Sequence, residues 1–230
     1  MATTMISSFL QEARRAIGKF CVNLGQRIFP TPDNAFMSTV SGEKFFPAFP
    51  RKFFLRIEDV AHSLSMCCRY NGHVNRFYSV AEHSWLLARY VLKHVYTNEP
   101  TVENLMLVYE ALHHDDGEAY LTDIPSPLKP FIPGYKMLQA IVDRVVRYKL
   151  RLPLEETPML KEFDTRILID ERDQNRSRSK QMWMISDDVK SLGVELQFFS
   201  PEEAKEKYLN MHNELVRMLK AEGLEMEFAQ

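Results

Sequence analysis

Three observations predict an all-α protein, a compact helical bundle. Apolar residues recur at three- and four-residue steps along most of the chain, helix-start signals precede several of these stretches, and no repeated apolar/polar alternation marks a sheet. At 230 residues the chain can bury one sizeable core but is short for two independent enzyme domains.

Composition narrows the function classes. Lys and Arg number 29 against 31 Asp and Glu, a net charge of −2, so no global field draws the protein to a nucleic acid duplex or an anionic membrane. An anionic substrate has to be met by a local cluster. Of the three cysteines, Cys21, Cys67 and Cys68, the last two are adjacent, which gives neither a disulfide framework nor a CxxC zinc site. A reduced, cytoplasmic setting is expected. No run approaches the roughly 18 apolar residues that span a bilayer, and the N-terminus lacks the layout of a secretion signal.

The first element is an amphipathic basic helix over Met5–Ile28. Ile6, Phe9, Leu10, Ala13, Ile17, Phe20, Leu24 and Ile28 share one stripe, with Arg14, Arg15, Lys19 and Arg27 elsewhere on the wheel. Transit-peptide and membrane-surface readings exist for such a helix; an accessory helix packed on its own domain or on a sister subunit is preferred. Between Pro30 and Pro50 prolines, Gly42 and polar residues stop regular structure. The aromatics Phe45, Phe46, Phe49, Phe53 and Phe54 make this a wrapped, ordered loop that tucks its rings away.

Helix follows helix thereafter. Val60, Ala61, Leu64 and Cys68 form one stripe, ending before Asn71 and Gly72. Ser79 and Glu82 form a capping-box pattern that opens a helix bearing Trp85, Leu86, Tyr90 and Val91. Leu105, Val108, Ala111 and Leu112 mark a helix running to about Gly117. Leu138, Ile141, Val142 and Val145 give the next, closed before Pro153, and Leu160, Phe163, Ile167 and Leu168 another. Ser200, Pro201 and Glu203 supply the cap, first-turn proline and acid of a last helix carrying Tyr208, Met211, Leu215 and Leu219. The basic stretch from Gln174 to Lys180 reads as a solvated connection in preference to a phosphate site.

Four metal-loving side chains fall on these buried stripes: His83, His114, Asp115 and Asp164. His83 aligns with Leu86, Leu87 and Tyr90, His114 and Asp115 lie seven residues after Leu107 and Val108, and Asp164 stands where leucine is expected. A carboxylate or imidazole in an apolar interior loses several kcal/mol of hydration unless a partner replaces the water. A divalent cation is such a partner, and this nitrogen and oxygen set suits Zn, Co, Mn, Fe or Mg. Glu118, one turn past His114, can hydrogen-bond a water at the cation, and Asp123 can hold a substrate hydroxyl or pass a proton. Arg69 offers a fork for phosphate and Tyr70 a face for a base. Lys129 can add a second charge, though a surface place is preferred for it, and His73 and Arg76 can line the same mouth. His62, His94, His113 and His212 are expected in structural or surface roles.

The ordered set resembles the HD-domain metal-dependent phosphohydrolases, and within them the bacterial 5′-deoxynucleotidases and phage HD-domain dATP triphosphohydrolases. The resemblance rests on Arg69-Tyr70-Asn71-Gly72-His73, Ser79 to Ser84, His114-Asp115-Asp116-Gly117-Glu118-Ala119, Asp123 to Lys129 and Lys161-Glu162-Phe163-Asp164, covering roughly Ser38 to Asp173. It implies an HD-type core over 38–175; the N-terminal extension (1–37) and the C-terminal helical segment (176–230), expected to pack on that core, inherit nothing from the resemblance. It further implies one metal ion held by His83, His114, Asp115 and Asp164, with Glu118 and Asp123 as catalytic residues and Arg69 against phosphate; the placing of Tyr70, His73 and Lys129 against substrate stays a reading of the residues alone. The expected activity is release of phosphate from a deoxynucleoside 5′-monophosphate or of triphosphate from a dNTP such as dATP, by a homo-oligomer. An inactive nucleotide- or alarmone-binding protein is the alternative, and a purely structural adaptor a third reading. Asp116, where related sequences often carry a small residue, can recruit a second ion or face solvent.

Overall fold

The computed structural model describes residues 36–177 and 188–226; the basic helix expected over Met5–Ile28 lies outside them, as do Arg178 and Lys180. The described residues from 38 onward form a compact unit of their own. Helix dominates the described residues, as the periodicity predicts.

The opening loop carries β1 (Met37–Ser38) and β2 (Lys44–Phe45) on either side of a turn. Ser41 pins that turn to Asp59 through its amide and hydroxyl, at 2.8 and 2.7 Å. Phe45 is buried and stacks on Tyr120 with centroids 3.9 Å apart. The loop is therefore wrapped, with one exception: Phe53 stands 82% exposed.

Helix α1 (Ile57–Met66) buries Ile57, Val60, Ala61 and Leu64. It stops short of Cys68 because the chain extends at Cys67 and Cys68 pairs with Ser79, closing the loop between them. Helix α2 (Val80–Val91) starts on Ser79, whose hydroxyl accepts the Glu82 amide at 3.1 Å. The reciprocal half of the expected capping box is missing. Glu82 is fully buried and accepts the amides of Gln197, Phe198 and Phe199 at 2.8 Å each, since three donors offset burial of a charge better than one cap contact. Helix α3 (Val102–His113) starts on Thr101 and ends at His113, short of the expected Gly117.

A single turn, α4 (Glu118–Leu121), follows, then α5 (Tyr135–Leu150), led in by Gly134 at φ +77°. Helix α6 (Pro158–Asn175) buries Leu160, Phe163 and Ile167. Glu110 of α3 clamps the connection between α5 and α6 by pairing with Arg147 and accepting the Thr157 amide at 3.1 Å. The following segment runs along α6, where Asp170 accepts the amides of Leu192 and Gly193 at 2.8 and 3.1 Å. Helix α7 (Pro201–Ala221) begins in a complete capping box of Ser200 and Glu203. Its buried face, including Tyr208, Met211, Leu215 and Leu219, packs on α1, α2 and α3. Each fully buried leucine there contributes about 1.5–3 kcal/mol. No helix among the described residues is long and apolar enough to cross a membrane.

Candidate metal centre

Three elements bring the predicted ligands together. His83 comes from the first turn of α2, His114 and Asp115 from the turn after α3, and Asp164 from α6. His83 Nε2 lies 3.3 Å from His114 Nε2 and 3.2 Å from Asp164 Oδ1. His114 Nε2 lies 3.3 Å from Asp115 Oδ2 and 3.7 Å from Asp164 Oδ1, and Asp115 Oδ2 is 3.7 Å from His83 Nε2. His83, His114 and Asp115 offer atoms all within 4.8 Å of one another, a set that can hold a metal ion. Asp164 joins through the two imidazoles; its side chain is 34% exposed, so it sits at the rim and not under the leucine-like burial its stripe suggests.

Outer contacts orient both rings. His114 Nδ1 faces the Ala111 carbonyl at 2.9 Å, and a carbonyl only accepts, so that nitrogen carries a hydrogen. His83 Nδ1 faces the Glu171 carboxylate at 2.6 Å. In the neutral rings the two Nε2 lone pairs therefore aim at each other and at two carboxylates. Bare acceptors at these spacings repel unless a cation lies among them. Donor atoms at ~2.0–2.1 Å from a tetrahedral zinc ion stand about 3.3 Å apart, so the spacings fit a metal. The rival cation is the proton. Burial lowers the pKa of His114, but Asp115 and Asp164 outweigh it and hold the imidazole well above its usual value. Asp115 is held down to about 2: burial opposes this, and His114 and His83 prevail.

Glu171 lies two turns beyond Asp164 on α6 and is fully buried. Besides His83 it accepts the hydroxyls of Tyr70 and of Tyr78, the latter at 2.9 Å, and pairs with Arg69 Nε at 3.4 Å. Burial pushes its carboxyl up, yet Arg69 and His83 hold it below the ordinary range. Sequence reasoning missed this residue; an acid seven positions after Asp164 on one helix face was the available signal. Arg69 is buried, not on the surface, with Nη1 3.4 Å from Asp115 Oδ2. Tyr70, Asn71 and Gly72 then run left-handed, at φ +56°, +57° and +78°. Such conformations cost about 1–3 kcal/mol for each non-glycine residue, and the Tyr70 hydroxyl on Glu171 helps hold the turn. His73 follows on this turn, exposed to solvent.

Glu118 opens α4 and is 9% exposed. Burial first, then Asp115 and Asp123, push its carboxyl well above the usual range, while Arg69 and Lys129 pull it back. Its Oε2 is buried and meets no hydrogen-bond partner among the described residues. Lys129, half-buried, is thus within electrostatic reach of the centre. A cavity of about 250 Å³ opens beside the ligands, lined among others by His114, Asp115, Asp164, Gln139, Asp143 and Glu156. Asp143 is a second missed residue: burial and Asp115 raise it to about 6. A Cβ on Gly117 would lie 2.0 Å from Asp143 Oδ1, so glycine is what lets that carboxylate lie over the turn.

Asp116 neither faces solvent nor serves this centre as a second-ion ligand. It is 1% exposed, and its oxygens go to His113 Nδ1, at 2.8 Å, and to the Tyr208 hydroxyl. His113 and His212 are buried with it, and exposed His94 lies against Tyr90.

No protein-family model matches the chain. It is 38% identical over 138 residues to the uncharacterized protein YfdR of Escherichia coli, covering 60% of this chain and 71% of that protein. An uncharacterized protein of Rhodobacter capsulatus is 28% identical over 196 residues, 80% of this chain and 97% of its own length.

Proposed function

This chain belongs to the same family as YfdR, and we propose that it is a metal-dependent phosphohydrolase acting on small (deoxy)nucleotides in the cytoplasm. The observation that carries this reading is the meeting of His83 Nε2, His114 Nε2, Asp115 Oδ2 and Asp164 Oδ1 beside a small polar cavity. Its motif set also resembles that of the HD-domain phosphohydrolases.

His83, His114, Asp115 and Asp164 would hold one divalent ion, Zn, Co, Mn or Mg. When bound, such an ion polarises a phosphoryl oxygen and lowers the pKa of water. Arg69, buried beside Asp115, supplies positive charge against the transferred group. Glu118, with a free buried oxygen and a carboxyl that readily holds a proton, orients the attacking water and exchanges its proton. Asp123, whose charge Glu118 feels, handles a sugar hydroxyl or the proton leaving the site. Lys129, Tyr70 and His73 complete the mouth for phosphate and base. Self-association follows from the same resemblance and is read by sedimentation.

The deciding experiment incubates the purified protein with divalent metal and either dAMP or dATP, and identifies phosphate or triphosphate among the products. Turnover that disappears together with bound metal in Asp115→Ala supports the proposal. Full activity in that variant ends it, and metal bound without turnover across a nucleotide panel makes the protein a nucleotide sensor instead.

A further inference from the structure

Residues 113–116 divide between two buried clusters. His114 and Asp115 face the candidate metal centre, whereas His113 and Asp116 meet α7. His212 Nδ1 lies 3.0 Å from His113 Nε2, and His113 Nδ1 lies 2.8 Å from Asp116 Oδ2. The Tyr208 hydroxyl contacts Asp116 Oδ1 and stands 2.8 Å from His113 Nδ1. All four residues are at most 1% exposed.

One placement of hydrogens pairs these polar atoms along a single direction. His212 Nδ1–H donates to His113 Nε2, His113 Nδ1–H donates to Asp116, and the Tyr208 hydroxyl donates to the other Asp116 oxygen. Burial and the neighbouring His113 hold His212 down to about 3, which keeps its ring neutral and able to play this part. Asp116 thus receives a donor on each oxygen, and its backbone is fixed from outside the turn. The turn needs this, because α3 has ended and few backbone bonds remain, among them Asp116 N to His113 O at 3.3 Å and Glu118 N to Asp115 O at 2.9 Å.

We propose that Tyr208 and His212 are positioning residues for the metal centre: through Asp116 and His113 the C-terminal helix fixes the turn that presents His114 and Asp115. The proposal rests on the metal reading above. Contacts that orient ligands typically change metal affinity 10–100-fold when removed, whereas side chains that only fill space change stability alone.

Titration of the full chain with Co²⁺, followed by visible absorption and paired with calorimetric Tm, separates the two roles. Tyr208→Phe keeps the ring and removes one hydroxyl; it is expected to weaken Co²⁺ binding about 10–100-fold and to alter the cobalt spectrum. Leu215→Ala, on the same helix and buried, is expected to lower Tm and leave both unchanged. Unaltered Co²⁺ binding in Tyr208→Phe, or equal weakening in Leu215→Ala, overturns the proposal. Should Tyr208→Phe fail to fold, His212→Gln and His212→Leu ask the same question. The amide still donates to His113 Nε2, so Gln retains affinity and Leu loses it, and equal affinities overturn the inference. A wild-type protein that binds no Co²⁺ removes the metal reading itself, whereas normal wild-type binding with an indifferent Tyr208→Phe removes only the positioning role.

Discussion

Two buried clusters on either side of one turn use nearly the same side chains to opposite ends. Around His113, donors and acceptors alternate: each imidazole nitrogen and each Asp116 oxygen facing the cluster has a partner of the other kind. Around His114, the four candidate ligand atoms are all acceptors once the rings are neutral, because Ala111 and Glu171 take up the outer nitrogens, and Arg69 Nη1 reaches only Asp115, at 3.4 Å. The side chains of the first cluster are at most 1% exposed, whereas the second opens on a cavity that His113 also borders. Residue types alone therefore do not separate a structural network from a ligand set; the balance of donors against acceptors does.

The most severe way to break the contrast is to remove a ligand from the open cluster. Asp115→Ala should lose bound metal in elemental analysis and release of phosphate or triphosphate together, while the cluster around His113 keeps the protein folded by circular dichroism. Next comes Glu171→Gln, which takes the charge from behind His83; isothermal titration should show metal affinity reduced about 10–100-fold. Loss of folding with retained affinity would speak for a purely structural carboxylate.

Acid should sharpen the contrast, because the clusters answer it differently. His212 is held at about 3 in the folded protein against 6.5 ordinarily, so between these values the unfolded chain binds more protons. Its stabilising share is whole above about pH 6.5 and is lost as pH falls towards 3, a change on the order of a few kcal/mol. Tm measured from pH 7 to 4 should fall, and less steeply in His212→Gln. The open cluster should instead release metal, since protons compete with the ion for the imidazoles of His83 and His114.

Gly117→Ala tests how closely α5 approaches the turn. Its Cβ meets Asp143 Oδ1, the end of a side chain that borders the cavity and can swing aside, so we expect a loss of about 0.5–1 kcal/mol in chemical denaturation. The smallest effect belongs far from both clusters: Phe53→Ser, at a largely exposed ring, should stay within about 0.5 kcal/mol of the parent.

The sequence disclosed the cluster around His114 more readily than the one around His113. His83, His114 and Asp115 could be placed because apolar periodicity aligns each with a buried stripe, and the bundle brings those stripes together. The helix ends were less legible. The end of α3 at His113, short of Gly117, goes with a contact of Asp116 to Tyr208, 92 positions away, and no local pattern carries that information. Glu82 misled for a similar reason, since its position suits a capping box while its carboxylate serves a distant loop. Arg69 reads as a phosphate contact, but its ion pair with Glu171 is not legible in the sequence, because nothing nearby reports that acid, which lies on a helix roughly a hundred residues later.

The packing of α7 on α1, α2 and α3 bears on how this protein is made. A ribosome delivers the segment from Pro201 to Ala221 after every other described helix, so the earlier ones emerge with the apolar surface meant for Tyr208, Met211 and Leu215 uncovered. A nascent chain stalled before that point would be the form most exposed to chaperones and proteases.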